Sequence, residues 1–204
     1  MHASEQDRPD VKERRACWHE QFKDVDPNRL VFLDESGAST NMTRTHGRAE
    51  RGVRVIDKVP GGHWKITTLI SAIRTSGPFA AAAVSGATDS DVFKTYVQHV
   101  LAPELRAGDV VIMDNLQPHK ASGVRQMIQA TGAALLYLPP YSPDFNPIEN
   151  MWSKVKRYLR SAAARTYEAL QEAITCALQT VTQEDCRGFF RHCGYLATGK
   201  AALL

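Results

Sequence analysis

Apolar and polar positions along the chain switch repeatedly between a period of two and a period near 3.6. From Arg29 the run Leu30-Val31-Phe32-Leu33 is β-branched and aromatic and ends in Asp34, Glu35, Ser36 and Gly37, which predicts a strand stopped by a turn. Successive strand residues face opposite sides, so Asp34 shares a face with Leu30 and Phe32 while Glu35 faces the other way. By that parity Glu35 lies off any site that Asp34 joins. The stretch from Ala38 to Val59 is polar, basic and punctuated by glycine, and the alternation Val53-Arg54-Val55-Ile56 within it predicts a short strand between loops. Gly61-Gly62 then opens a long strand from Trp64 to Ile73, and Gly77-Pro78 turns into another from Phe79 to Val84, giving an antiparallel meander.

Helical spacing follows. Val92, Phe93, Tyr96, Val97, Val100 and Leu101 recur on one face, with Asp89 or Ser90 as cap and an end near Pro103. The continuous apolar run Val110-Val111-Ile112-Met113 between Asp109 and Asp114 reads as an interior strand covered on both faces. A helix containing Val124, Met127 and Ile128 leads to a strand from Ala134 to Leu138. The tail predicts two packing helices, from Thr166 to about Gln179 and from Thr182 to about His192. Residues 1 to 28 are charged and loosely periodic, and Trp18 and Phe22, four apart, predict a short helix there.

The stretch from Leu138 to Trp152 organises the rest. Pro139, Pro140 and Pro143 cannot donate to a ladder and bias their predecessors away from helix, so the loop from Leu138 to Asp144 is expected to be extended and stiff. Asn146 suits an N-cap, Pro147 the first helical position and Glu149 the third, starting a helix that runs to about Ala164. On it Ile148, Trp152, Val155 and Leu159 form the buried stripe, while Glu149, Ser153, Lys156 and Arg160 line a neighbouring one. Glu149 has two readings at this point. It closes a capping box on the Asn146 amide, or it is a metal ligand converging on carboxylates from distant strands.

Composition narrows the class. With 204 residues, 43% of them hydrophobic, the chain can bury a core of single-domain size. The longest apolar runs, Phe79 to Val84 and Ala133 to Leu138, are too short to span a bilayer, and the first eight residues lack the apolar centre of a signal peptide. No membrane association and a cytosolic location are expected. Cys17, Cys176, Cys186 and Cys193 have no zinc-like spacing and read as reduced structural thiols. The net charge of +3 is small but unevenly placed. Lys154, Lys156, Arg157, Arg160 and Arg165 stand against Glu149 alone between residues 146 and 165, and Arg44, Arg48, Arg51, Arg54 and Lys58 form a second basic stretch. Such runs serve either as solvated faces or as nucleic-acid patches.

The element order, a meander followed by alternating helices and strands, resembles the ribonuclease-H-like fold, an α/β architecture with a mixed five-stranded sheet flanked by helices. The motifs carry the resemblance further. Phe32-Leu33-Asp34-Glu35-Ser36, Met113-Asp114-Asn115 with His119 beyond it, and Pro139-Pro140-Tyr141-Ser142-Pro143-Asp144-Phe145-Asn146-Pro147-Ile148-Glu149 are similar to the three signature blocks of DDE transposases of the mariner superfamily, in their bacterial insertion-sequence branch. The 34 residues between Asp114 and Glu149 match that family's spacing, and the resemblance runs from about Leu30 to Arg160.

The resemblance implies metal-dependent cleavage and strand transfer of transposon-end DNA. Strand exchange needs an activated nucleophile and a stabilised leaving oxygen, which two divalent cations about 4 Å apart provide. Mg²⁺ or Mn²⁺ prefers carboxylate oxygens, so a site of Asp34, Asp114 and Glu149 has the right composition. Three crowded carboxylates repel unless cations compensate, which tips Glu149 toward the ligand reading. The resemblance makes Asp34 and Asp114 shared ligands and Glu149 a ligand of the second ion. Asn115, His119, Lys156 and Arg160 are candidate DNA contacts, with Asn115 and His119 equally readable as local hydrogen-bonders.

The expected partners are double-stranded DNA, a second copy in a homodimer on DNA, and a helix-turn-helix half from an upstream frame, since residues 1–28 are too few for a three-helix reader. A bacterial, nucleoid-associated location follows from the same resemblance. The expected division is an N-terminal extension or helical linker over 1–28, a catalytic domain over 29–165 and, packed on it, a C-terminal helical extension over 166–204. Two other functions fit the residues less fully. One is an inactive or regulatory DNA-binding remnant of a split transposase; the other is a ribonuclease-H-like nuclease on structured or hybrid substrates, which does not account for the Pro-Pro-Tyr-Ser-Pro-Asp block.

Overall fold

The computed structural model describes residues 4–22 and 24–196, so residues 1–3, 23 and 197–204 of the two expected extensions lie outside the described residues. Among the described residues, five strands form one mixed sheet: β1 Leu30–Ser39, β2 Ile66–Arg74, β3 Gly77–Ser85, β4 Val110–Met113 and β5 Ala134–Tyr137, in the order β3-β2-β1-β4-β5. β2 runs antiparallel to β1 and β3, whereas β4 and β5 run parallel to β1. A short turn joins β2 to β3 and a long irregular segment joins β1 to β2, whereas each parallel strand needs a crossover. The crossovers contain helix α2, Ser90–Tyr96, and helix α3, Val124–Ala130.

Strand parity divides the core. Leu30, Phe32 and Ile112 face one side, where helix α4, Pro147–Ala162, packs Met151, Trp152, Val155 and Leu159 against them. Helix α5, Tyr167–Gln179, and helix α6, Gln183–His192, extend that layer through Leu170, Ile174 and Phe190. Val31, Leu33, Val111 and Met113 face the other side, against Phe93, Val97, Leu101, Val124 and Ile128. Central strands covered on both faces read as unbroken apolar runs, as β1 and β4 do. No described helix is long and apolar enough to cross a membrane, and the four cysteines are unbridged.

Four local expectations are corrected. Val53–Ile56 is not a strand: Val53 and Ile56 are exposed and the segment runs irregularly from β1 to β2. Alternation makes a strand where a ladder partner and a buried face reward it, and this segment pairs with none of the five strands and keeps Val53, Val55 and Ile56 exposed. The helix after Asp89 is α-helical only to Tyr96; it continues as a π turn over Val97–Leu101 and a 3₁₀ turn over Ala102–Glu104, keeping Val97 and Leu101 fully buried. The N-terminal helix, α1, spans Pro9–Ala16, ahead of Trp18 and Phe22. Both aromatics are instead core residues, and Trp18 Nε1 donates to the Tyr195 hydroxyl at 2.7 Å. The loop from Leu138 to Asp144 is not extended throughout: Tyr141 takes a left-handed conformation (φ 55°) and Pro143–Phe145 forms a 3₁₀ turn.

Candidate active site

The register of the parallel strands sets the site. Phe32 pairs with Ile112 across β1 and β4, and two residues beyond that pair on each strand stand Asp34 and Asp114. Equal steps from a paired position bring two side chains to the same face and the same level of a sheet. Both acids therefore emerge side by side where β4 ends, Asp34 midway along β1 and Asp114 just past Met113. α4 packs on β1 and brings Glu149, in its first turn, to the same place. Asp34, Asp114 and Glu149 line one cavity of about 360 Å³, together with Asn115, Pro140 and Asn146.

The capping reading of Glu149 fails. Asn146 occupies the N-cap position, but its side chain makes no cap hydrogen bond and its buried Oδ1 has no partner. The Asn146 amide donates to the Pro143 carbonyl at 3.0 Å, so Glu149 does not close a box on it. A complete capping box does exist in this protein, on α6, where Thr182 and Asp185 satisfy each other's backbone amides.

Electrostatics separates the three acids. Burial, then the Glu149 and Asp114 charges, push the Asp34 carboxyl up to about 7, against a lowering hydrogen bond from the Glu35 amide. Glu149 is exposed as a residue, yet its carboxyl is desolvated on the cavity side and is raised by that and by Asp114, with Lys156 opposing. Asp114 goes the other way. Burial raises it, but the His119 ring and the Leu116 amide outweigh burial and hold it below the usual carboxylate range. No three His, Cys, Asp or Glu side chains among the described residues are drawn together closely enough to hold a metal as they stand. Mutually repelling carboxylates facing one cavity take up such a spacing. The donor set, oxygen alone with one carboxyl held unusually far from ionisation, fits a hard divalent cation whose charge would relieve the repulsion.

The remaining candidates separate by position. Asn115 lines the cavity and its Nδ2 donates to the Leu138 carbonyl, pinning the proline loop to the end of β4. His119 does not present itself to DNA: it is wholly buried, and its Nδ1 lies 2.6 Å from Asp114 Oδ1 in an ion-pair contact. Burial disfavours the imidazolium, but Asp114, Glu35 and Asp34 outweigh it and raise the ring above its ordinary value. Lys156 is close enough to Glu149 to lower its pKa. Arg160 lies further along α4, in a separate cavity with Arg44, His46, Ser153 and Arg157.

Two residues that sequence reasoning left out prove to touch this region. Glu35 faces away from the Asp34 side, as parity requires, yet its Oε1 comes within 4.0 Å of His119 Nε2. Arg15 of α1 reaches across to the proline loop, donating to Ser142 Oγ at 2.7 Å and to both oxygens of Asp144 at 3.0 and 2.6 Å while stacking on Phe145. The Asp-Glu dipeptide and His119 were both visible as motif residues; their contact was not, because it joins opposite ends of two strands' sequence.

The model of the DDE superfamily endonuclease family matches residues 29–171. The transposase of transposable element Tcb1 from Caenorhabditis briggsae is 29% identical over 118 residues, 54% of this chain and 43% of that protein. The Tc1 transposase of Caenorhabditis elegans is 32% identical over 79 residues, 39% of this chain and 29% of that protein. The chain thus spans less than half the length of these curated relatives. Among solved structures, a pre-cleavage Mos1 transpososome superposes with a TM-score of 0.73 at 15% identity, over 90% of this chain and 58% of that one. The catalytic domain of Mos1 transposase bound to raltegravir and Mn gives 0.68 at 15% identity, over 90% of this chain and 86% of that one. At that identity the likeness establishes the fold, which is ribonuclease-H-like as expected from the element order.

Proposed function

The chain belongs to the DDE superfamily of endonucleases, and on that premise we propose that it is a transposase catalytic domain that cuts transposon-end DNA and joins it to a target, in the bacterial insertion-sequence branch of the mariner superfamily. Asp34, Asp114 and Glu149 are its cation ligands, for a pair of Mg²⁺ or Mn²⁺ ions. The observation that carries the reading is the placement of Asp34 and Asp114 at matching steps of adjacent parallel strands, with Glu149 lining the same cavity. Mn and Mg accompany Mos1 transposase in solved structures, which supports the same ions here.

The chain's own residues do the following. Asp34 and Asp114 offer carboxylate oxygens from the sheet, and Glu149 offers its own from the helix that covers the sheet. Lys156 sits beside Glu149, where it neutralises a phosphate next to the cut, and Arg160 extends the same side of α4 along the backbone of the duplex. Asn115 fixes the proline loop and with it the start of α4. Asp34, Asp114 and Glu149 would hold cations whose charge would supply activation of the attacking water or 3′ hydroxyl and stabilisation of the leaving oxygen. Residues 29–165 are the catalytic unit of this reading, with an N-terminal extension or helical linker over 1–28 and a C-terminal helical extension over 166–204. A homodimer on DNA, a separately encoded helix-turn-helix half and a nucleoid-associated bacterial location complete the proposal.

The test is Glu149→Gln assayed by Mg²⁺-dependent nicking of a supercoiled plasmid. Because no capping bond is lost, stability changes by less than about 1 kcal/mol. Loss of a ligand removes several kcal/mol of transition-state stabilisation, a fall of about 10³-fold or more. Nicking that survives the substitution would leave a folded basic protein whose acids serve another end.

A further inference from the structure

The imidazole of His119 stands between two carboxylates that come from different strands. Its Nδ1 is 2.6 Å from Asp114 Oδ1 and its Nε2 is 4.0 Å from Glu35 Oε1. We propose that Glu35 and His119 are positioning residues that hold the Asp114 carboxylate from behind the sheet and so set the affinity of the acidic cavity for a divalent cation; the proposal rests on the reading of that cavity as a cation site.

The contacts on Asp114 are one-sided. His119 Nδ1 and the Leu116 amide, at 3.0 Å, both fall on Oδ1. That leaves Oδ2 as the oxygen available on the cavity side, with the carboxylate plane fixed by two contacts on its partner atom. His119 cannot swing out to meet a substrate. It is fully buried, its ring lies 4.5 Å from that of Phe93, and its carbonyl accepts from the Tyr137 hydroxyl at 3.1 Å. Its influence on the reaction therefore passes through Asp114.

Packing does not account for the choice of residue. A phenyl ring would fill the same space against Phe93, whereas the imidazole and Glu35 bring Glu35 Oε1 and both ring nitrogens of His119 into the interior, met there only by the ion-pair contacts of Nδ1 with Asp114 and of Nε2 with Glu35 rather than by well-formed hydrogen bonds. Buried polar atoms left in that condition cost stability, so their retention points to a task. The backbone explains the geometry. Asp34 and Glu35 are consecutive on β1 and face opposite sides, so the strand that supplies one acid to the cavity supplies, from its other face, the prop for the second acid. Ligands of metal sites are commonly held by such outer partners, whose removal costs about 10- to 100-fold in metal affinity or activity.

The experiment is a titration of the full chain with Mn²⁺ in the absence of DNA, with free Mn²⁺ read by electron paramagnetic resonance and folding followed by thermal unfolding. His119→Phe keeps the stack on Phe93 and removes both nitrogens; its Mn²⁺ Kd rises about 10- to 100-fold. His119→Asn, whose amide nitrogen reproduces the Nδ1 donor, recovers most of that affinity, which a space-filling role would not predict. Glu35→Gln weakens binding in the same direction by a smaller factor. An unchanged Kd in His119→Phe, or His119→Asn binding as weakly as His119→Phe, overturns the proposal. Should His119→Phe not fold, Glu35→Gln and His119→Asn still decide, because full affinity in Glu35→Gln removes the prop and poor affinity in a folded His119→Asn removes the anchor. Asp34→Asn separates the underlying reading: Mn²⁺ binding unaffected by that change sinks the cation site itself, whereas binding that needs Asp34 and ignores His119 sinks only the positioning pair.

Discussion

Strand β4 carries an aspartate at each end, and the two ends are built oppositely. Asp109, just before the strand, is 1% exposed and fully compensated: Arg74 Nη2 donates to Oδ2 at 2.7 Å, the Arg106 amide at 2.9 Å, and Arg29 stands 3.9 Å from Oδ1. Arg74 is itself held, by the Glu104 carbonyl at 2.8 Å and the face of Phe79. At the other end Asp114 and its neighbour Asp34 meet Glu149 and each other, and the cation nearest them, His119, serves Asp114 from behind. The chain has arginines to spare and spends them at the amino end of the strand. Burial of a carboxylate is thus no mark of function. Burial without compensation is, because something outside the chain must then complete the charge.

Three changes break or sharpen that contrast. The largest is Arg74→Met, which leaves Asp109 buried and unpaired; urea unfolding should show a loss of about 3–5 kcal/mol that Mg²⁺ does not restore. Next is the pH dependence set by Asp34. Its carboxyl titrates near 7 in the folded protein, above its ordinary value of 3.8, so the native state holds a proton that the unfolded chain has already lost. The contribution to stability is present below about 4 and is lost as pH rises through about 7. In EDTA the protein should be less stable at pH 8 than at pH 5, by up to about 3 kcal/mol from this group. Mg²⁺ should raise the melting temperature more at pH 8 than at pH 5, and an equal rise at both would undo the contrast between the ends of β4.

The smallest effect concerns an acid compensated near the surface. Asp185, in the α6 capping box and paired with Lys154, is held down to about 2, so its contribution is intact above about 4 and fades as pH falls through about 2. Lys154→Met should cost about 1 kcal/mol or less, because the pair is partly in water. Its effect should vanish in strong acid, where Asp185 is protonated, and a loss that persists there would assign the effect to packing of the lysine stem.

The parts of the molecule legible in advance were those where one local rule suffices. The apolar runs of β1 and β4, the stripe of Ile148, Trp152, Val155 and Leu159, and the two tail helices from about Thr166 and Thr182 all follow from period. Spacing and motif likewise drew attention to Asp34, Asp114 and Glu149. One misreading occurred where a local pattern had two outcomes: Val53–Ile56 alternates like a strand but pairs with none of the five. Asn146 with Glu149 left a capping box and a metal ligand open, and the structure forms no box there while Thr182 with Asp185 does. His119 was open to reading as a DNA contact or a local hydrogen-bonder, and its burial beside Asp114 leaves the local one.

The amino-acid sequence alone determined which residues alternate, which recur at helical spacing and which acids stand at the ends of apolar runs, because those properties depend on neighbours a few positions away. Only the tertiary structure decided which acids are compensated. Arg74 reaching Asp109, His119 reaching Glu35 and Arg15 reaching Asp144 are contacts between segments far apart in the chain. The energy of a charge is set by everything within a few ångströms of it in space, and that neighbourhood comes into being only when the sheet has paired and the helices have closed over it.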